Sequence, residues 1–392
     1  MIAEYTSSSK PATIPAPPRK RISAPFRFMQ PTLPPLEDVV AAYRTVYEAG
    51  MITNASLVAR LEDAAAERLQ VKHCVAVSSC TSGLMLVMRA LDLRGDVIVP
   101  SFTFFATGHA VLWNGLKPVL ADCLPGAWTI DPASAGRQIT GGTAAILAVH
   151  LYGNPCQVEE LEKLASRHGL KLIFDAAHGF GSSHRGRPVG SFGDAEVFSM
   201  SPTKLLVAGE GGLVATNDAT LARRLRAGRN YGDLGAYNPE LLGMNARMSE
   251  FQAALALAGL DLVDRKVERH NRIADAYTRR LAGVPGLGFQ SVAAGDRSTY
   301  KDYSVHIDAG GFGMSRDEAA ACLLAENIET KKYFDPPLHR QSLYRDYYDP
   351  AREPLAVTGP MAAGILSLPV YESLPEETVE AVADAVAALA GC

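Results

Sequence analysis

Between residues 70 and 177 short apolar runs rich in Val and Ile alternate with longer segments whose apolar positions recur every three to four residues. "HCVAVSS" precedes "TSGLMLVMRALDL", "DVIVP" precedes "FFATGHAVLWNG", "KPVLADC" follows, and "AAILAVHLYG" precedes "QVEELEKLASRHG" and "LKLIFDAA". The short runs read as strands buried on both faces and the longer segments as helices. Their alternation predicts an α/β fold with a mostly parallel central sheet flanked by helices. In such sheets ligands gather at the carboxyl ends of the strands, so the residues just after each apolar run are where chemistry is expected.

Beyond Asp264 the pattern changes to a charged helical stretch, "RKVERHNRIADAYTRRLAG", then a Gly/Ser-rich break. "YKDYSVHID" reads as a strand and "MSRDEAAACLLAENI" as a helix with Ser315 at its N-cap. "PEETVEAVADAVAALAG" reads as a closing helix with proline in its first turn and glycine past its end. Residues 1–28 carry several prolines and no periodicity, and are expected to be a flexible lead-in. The expected organisation is therefore a tail over 1–28, a large domain over 29–263, and a smaller C-terminal α/β domain over 264–392.

Composition narrows the class. A chain of 392 residues with 47 % apolar and 20 % charged residues and a formal net charge of -4 can bury a large core and carries no electrostatic footprint for nucleic acid. The basic cluster "PPRKRIS" lies in the Pro/Ser-rich tail without interleaved aromatics and reads as solvated. Six scattered cysteines show neither metal-ligand spacing nor a disulfide framework, so no metal is expected and a reducing cytoplasm fits. No apolar run approaches a membrane span, and the N-terminus lacks the apolar core of a signal peptide.

Three strand ends stand out. In "AVSSCTSGLMLVMRAL" a strand runs into a helix through Thr81 and Ser82; small hydroxyl residues there are either a helix cap or an anion site made of free N–H groups and the helix dipole. Asp175 closes "LKLIFD", where a half-buried carboxylate requires a cation, supplied either by a salt bridge or by a ligand. His178 follows three residues later, as a loop histidine or a ligand contact. In "FSMSPTKLLVAGEGGLVATND" Lys204 precedes Gly209 by five residues, so the segment is not a Walker A loop, and "GEGG" lacks dinucleotide-binding spacing and leads into a strand. Lys204 is then either a surface charge or an amine able to form a Schiff base. Pyridoxal 5'-phosphate (PLP) demands an amine, a carboxylate for its ring nitrogen and an anion site for its phosphate, and Lys204, Asp175 and Thr81/Ser82 supply all three.

At these residues the chain resembles the sugar aminotransferases of the DegT/DnrJ/EryC1/StrS group, in fold type I of the PLP enzymes. The resemblance runs from about residue 30 to 390 through "SSCTSGL", "GDVIVPSFTFFAT", "HLYGNP", "DAAHGFGSSHRGRPVGSFGDAEVFSMSPTK", "GEGGLVATND", "GMNARMSEFQAAL", "YFDPPLHRQSLY" and "LSLPVY". It implies that Lys204 holds the cofactor covalently and that Asp175 pairs with the ring nitrogen. It likewise implies that His178 lies beside the ring, that Phe104 stacks on its face, and that Thr81, Ser82 and Ser199 bind phosphate. Asn245 matches an asparagine that reaches the neighbouring subunit's cofactor, which implies a homodimer with shared active sites. Tyr231, Tyr333 and His339 fall near the substrate pocket by motif neighbourhood, or serve structural roles.

Two departures from the family pattern are expected to matter locally. Cys80 stands where many members carry glycine, and Met200 and Ser201 stand where an aromatic residue and a histidine are usual. A dehydratase branch carries histidine in place of Lys204, and a non-catalytic regulator would need neither Lys204 nor Asp175 nor Ser199. The function the resemblance implies is amino transfer from L-glutamate or L-glutamine to a keto-sugar, nucleotide-linked, or to a keto-cyclitol, for glycans or secondary metabolites. A PLP or pyridoxamine-dependent dehydratase and a non-catalytic regulator are the alternatives.

Overall fold

A computed structural model describes residues 27–391. The seven-stranded sheet at its centre is built from β1 (His73–Val77), β2 (Asp96–Pro100), β3 (Lys117–Ala121), β4 (Thr143–Val149), β5 (Lys171–Asp175), β8 (Ala195–Ser199) and β9 (Gly212–Thr216); β6 (Ser183–His184) and β7 (Arg187–Pro188) form a separate small hairpin. The strand order is β1-β9-β8-β5-β4-β2-β3. Only β9 runs antiparallel to its neighbours, while β2, β3, β4, β5 and β8 pair in parallel. Apolar side chains fill both faces, with Ile98, Ile146 and Phe174 in one layer and Val97, Leu147 and Ile173 in the other. This two-sided burial is what the continuous Val/Ile runs require. The sheet is thus α/β and mostly parallel, as the alternation predicts.

Local sequence sets the helices that matter to the site. Ser79 caps the helix Cys80–Ala90 in a reciprocal box with Ser82, and Gly83 lets the helix approach the sheet, because a Cβ there would lie 2.7 Å from Val197 Cγ1. The helix Val158–His168 carries Glu159 and Glu160 in its first turn and Arg167 and His168 in its last, favourable for its dipole, and stops at Gly169 with φ 65°.

The helix Val263–Leu281 buries Val263, Val267, Ile273, Ala274, Tyr277 and Leu281 on one stripe. Its first turns lie in the core of the large sheet and its later turns in a second core made by residues 273–389. That second core covers β10 (Leu287–Phe289), β11 (Tyr303–Ile307) and β12 (Ile365–Leu368), an antiparallel sheet in the order β10-β11-β12. Ser315 caps the helix Arg316–Ala325 reciprocally with Glu318, and Pro375 directly precedes the helix Glu376–Leu389.

Three details depart from the sequence reading. Residues 1–26 of the expected lead-in lie outside the described residues, but Phe28 is buried, edge-on to Tyr333. The strand expected from Tyr300 begins at Tyr303, because Tyr300 takes φ 43° and turns Lys301 and Asp302 out of the extended run. Leu338, Tyr344 and Leu355, from the C-terminal third, pack into the core of the large sheet.

Candidate active site

The carboxyl ends of β1, β4, β5 and β8 surround a cavity of about 320 Å³. Of the residues singled out from sequence, Thr81, Phe104, Asp175, His178, Ser199, Lys204 and Tyr333 line it.

Asp175 closes β5 and is buried. Its Oδ2 accepts from the Thr107 hydroxyl at 2.8 Å and its Oδ1 from the Ala177 N–H at 3.1 Å. Burial pushes its carboxyl above the ordinary range, and those hydrogen bonds and the Lys204 charge pull partly against it. No salt bridge to a described residue neutralises it, so the sequence alternative of a structural ion pair falls away. The Cys80 thiol lies 3.8 Å from Asp175 Oδ1, and burial first, then the charge of Asp175, pushes that thiol well above its usual range.

Lys204 sits on a turn that the strand ends hold closed. Met200 N–H donates to Gly211 O, Ala208 N–H to Met200 O, and Lys204 N–H to Ser201 O. The buried Lys266 amine clamps the turn from behind, donating to Leu205 O at 2.8 Å and Thr32 O at 2.9 Å. The Lys204 amine lines the cavity without a hydrogen bond or ion pair to the described residues. Desolvation, reinforced by the Lys301 charge, lowers its pKa to about 8. An amine with that pKa keeps roughly a tenth of its population neutral, hence nucleophilic, at pH 7, far more than a lysine at its ordinary 10.5.

The helix Cys80–Ala90 points its N-terminus at the same space. The first-turn N–H groups of Cys80 and Thr81 have no acceptor within the helix, as helix geometry dictates. Ser82 departs from its expected role. Its N–H donates to Ser79 Oγ and its hydroxyl to Ser79 O, and it is absent from the cavity wall. The cap reading and the anion-site reading therefore both apply, to different residues of one turn. Gly212 lets β9 pass beneath this turn, since a Cβ there would lie 2.7 Å from Cys80 N and Ser79 O. Of the glycines of "GEGG", Gly212 thus makes room for backbone, whereas Gly211 makes room for the Met248 and Met200 side chains.

His178 Nδ1 accepts the Tyr152 N–H at 3.0 Å, which leaves the ring proton on Nε2. Burial, with the Lys204 and Lys301 charges, holds its pKa well below the usual imidazole range, so the ring is a neutral donor. The Phe104 ring stands at the cavity mouth 4.0 Å from Phe105 and 5.7 Å from Phe334, centroid to centroid.

Three expected residues lie elsewhere. His339 Nδ1 pairs with Ser101 Oγ at 2.8 Å and its N–H donates to the same oxygen, so it ties the C-terminal segment to the end of β2. Tyr231 is exposed, beneath the Arg247 guanidinium. Asn245 is exposed and bridges to Asn230. Neither tyrosine nor asparagine enters its own chain's cavity.

Sequence reasoning missed Thr107, Phe334, Lys301 and Asp302. Adjacent charges inside an otherwise strand-like run were the available signal for the last two, since one of the pair had to face the interior. Met200, a residue expected to reshape the substrate side, is buried in the core instead, and only Ser201 reaches the cavity.

The wall fits PLP on its own chemistry. It offers a buried carboxylate lacking a cation, an unpaired amine, open N–H groups at a helix N-terminus and a neutral imidazole donor.

The family model of the DegT/DnrJ/EryC1/StrS aminotransferases matches residues 36–387. The chain is 34 % identical over 352 residues to a dTDP-4-amino-4,6-dideoxy-D-glucose transaminase of Escherichia coli, covering 89 % of this chain and 95 % of that one. It is 36 % identical over 319 residues to a UDP-N-acetyl-3-dehydro-alpha-D-glucosamine 3-aminotransferase of Acidithiobacillus ferrooxidans, covering 81 % and 84 %. The crystal structure of DesI with its TDP-sugar product superposes with a TM-score of 0.89 at 37 % identity, covering 94 % of each chain. With the cavity built from the same strand ends its sequence motifs mark, the chain belongs to the DegT/DnrJ/EryC1/StrS family of PLP-dependent aminotransferases.

Proposed function

We propose that this aminotransferase moves an amino group from L-glutamine or L-glutamate to the keto group of a nucleotide-linked sugar. The observation that carries the reading is the unpaired Lys204 amine, with its pKa near 8, in one cavity with the uncompensated Asp175 carboxylate. Relatives named for sugar amination support the acceptor class.

Bound PLP supplies an aldehyde to receive the amino group and a ring to store the electron pair released at the donor carbon. Lys204 Nζ holds the cofactor between turnovers and, once displaced by the donor, carries the proton leaving the donor Cα. Asp175, held in place by Thr107 and Ala177, would pair with the ring nitrogen and keep it protonated. The N–H groups of Cys80 and Thr81, with the Ser199 hydroxyl, bind phosphate. His178, a neutral donor through Nε2–H, and Phe104 would hold the cofactor ring by a hydrogen bond and an apolar contact. In the second half of the cycle the same Lys204 amine returns the proton as the acceptor sugar is aminated.

The reading extends to a homodimer. Exposed Tyr231, Leu234, Tyr237 and Leu242 give an apolar surface beside Asn245, which reaches the partner subunit's site. Buried thiols at Cys74, Cys80, Cys123 and Cys156, none in a disulfide, support a cytoplasmic setting. No helix among the described residues is long and apolar enough to cross a membrane.

The test loads purified protein with PLP, adds glutamine or glutamate, then offers a panel of nucleotide-linked keto-sugars and keto-cyclitols. The visible cofactor band should bleach with the donor and return with a keto-sugar. A band that returns only with a cyclitol, or with none of the acceptors, contradicts the proposal. Elimination of water from the sugar without amination would point to the dehydratase instead.

A further inference from the structure

Lys301 and Asp302 lie on the bend before β11, 4 % and 1 % exposed, and both line the cavity. Lys301 Nζ donates to Asp302 Oδ1 at 2.8 Å. Asp302 Oδ2 is buried and accepts no hydrogen bond among the described residues. A lysine amine has three donors, so the pair presents a remaining N–H beside an unused carboxylate oxygen. An unsatisfied buried oxygen of this kind is costly unless a ligand meets it.

The pair is close to the reaction. Lys301, Asp302 and Lys204 line the same cavity, and among charged groups Lys301 exerts the largest effect on the Lys204 amine. The lining otherwise carries Asp175 and Glu210 and no arginine. Lys204 is committed to the cofactor and Lys301 is already neutralised by Asp302. Among the described residues of its own chain, a second carboxylate entering here finds no unpaired cation and meets Asp302 Oδ2, whereas a neutral group that both accepts and donates matches the pair.

We infer that Lys301 and Asp302 select the amino donor, reading the side-chain carboxamide of glutamine in preference to the carboxylate of glutamate. The carboxamide oxygen accepts from Lys301 Nζ and its NH2 donates to Asp302 Oδ2. This rests on the transaminase reading above and assigns the donor within it. Sites built to hydrogen-bond a substrate N–H reject analogues that lack it, because their own buried groups are then left unpaired.

The test needs no acceptor sugar. Holoprotein is mixed with glutamine or glutamate, and bleaching of the cofactor band gives a single-turnover rate and a half-saturating concentration for each. Equilibrium binding of the unreactive analogues glutaramate and glutarate, measured by calorimetry, supplies a readout independent of turnover. Wild-type protein should favour the carboxamide member of each pair by at least about ten-fold. D302N frees the Lys301 charge and should reverse the preference toward glutamate and glutarate, with the cofactor still bound. Equal or tighter binding of the carboxylate members by the wild type overturns the inference, whatever the variant does. So does a D302N protein that retains the wild-type ratio. If neither amino acid bleaches the band, the transaminase reading fails and takes this one with it; bleaching without preference removes this one alone.

Discussion

Asp175 and Asp302 are two carboxylates buried in the wall of one cavity, and the fold treats them differently. Asp175 ends a central parallel strand, where the Thr107 hydroxyl and the Ala177 N–H anchor it and no described residue forms an ion pair with it. Asp302 sits on the bend before β11 with its own lysine at 2.8 Å and one oxygen left over. The first arrangement conserves a negative charge for a cationic ring. The second cancels its charge and keeps only hydrogen-bonding capacity. The large-sheet side of the cavity is therefore suited to holding a charged cofactor, and the side formed by the bend before β11 to discriminating among uncharged polar groups.

The contrast is most sharply broken at the reacting amine. K204A removes both the covalent tether and the proton carrier, and should lower turnover by at least about 10²–10⁴-fold. PLP added to K204A should give no stable visible band after gel filtration. D175N keeps the shape of the side chain but cannot carry the negative charge. Breaking a buried charge pair costs about 3–5 kcal/mol, so turnover and cofactor retention should fall by about 10²–10⁴-fold. D302N, by comparison, should leave cofactor retention measured by dialysis within about two-fold of wild type, since no charge there is owed to the ring.

T107V should have a smaller effect. It removes a hydrogen bond to a charged group, worth about 1.5–3 kcal/mol. Asp175 already has a folded pKa above its unfolded value because burial outweighs its hydrogen bonds. Losing the Thr107 donor raises it further, so the acid limb of the activity profile should move to higher pH. A limb that moves to lower pH would contradict the role given to Thr107.

The amine itself gives a pH signature. Lys204 has its folded pKa depressed to about 8, so capture of PLP by the apoprotein should accelerate as pH rises toward 8 and level off above it. An ordinary lysine would still be accelerating near its usual 10.5. The smallest effect is expected for S82A. Loss of one side of the capping box costs about 1 kcal/mol of stability, read as a lower thermal midpoint, with cofactor affinity little changed.

How much of this was legible in the sequence follows the same division. The strand-end wall could be read because periodicity locates the sheet and the sheet dictates where ligands sit; Thr81 and Asp175 were picked out on that ground, Lys204 by its turn and Ser199 by the family resemblance, and all four line one cavity. Ser82 lay on the right turn, but capping consumed its donors. The wall formed by the bend before β11 was opaque. Lys301 and Asp302 reach the cavity only because Tyr300 leaves the extended conformation three residues before β11 begins, and no periodicity encodes that turn. His339 shows the reverse error: its motif neighbourhood suggested the pocket, while its ring is occupied by Ser101.

Two lysines, Lys204 and Lys301, line the cavity, and the account assigns the covalent role to only one. Borohydride reduction of the PLP-loaded protein, followed by proteolysis and mass mapping, fixes the cofactor onto whichever amine holds it. The account predicts the modification on the peptide containing Lys204 and none on that containing Lys301. Label on Lys301, or undiminished labelling of the K204A protein, would contradict it.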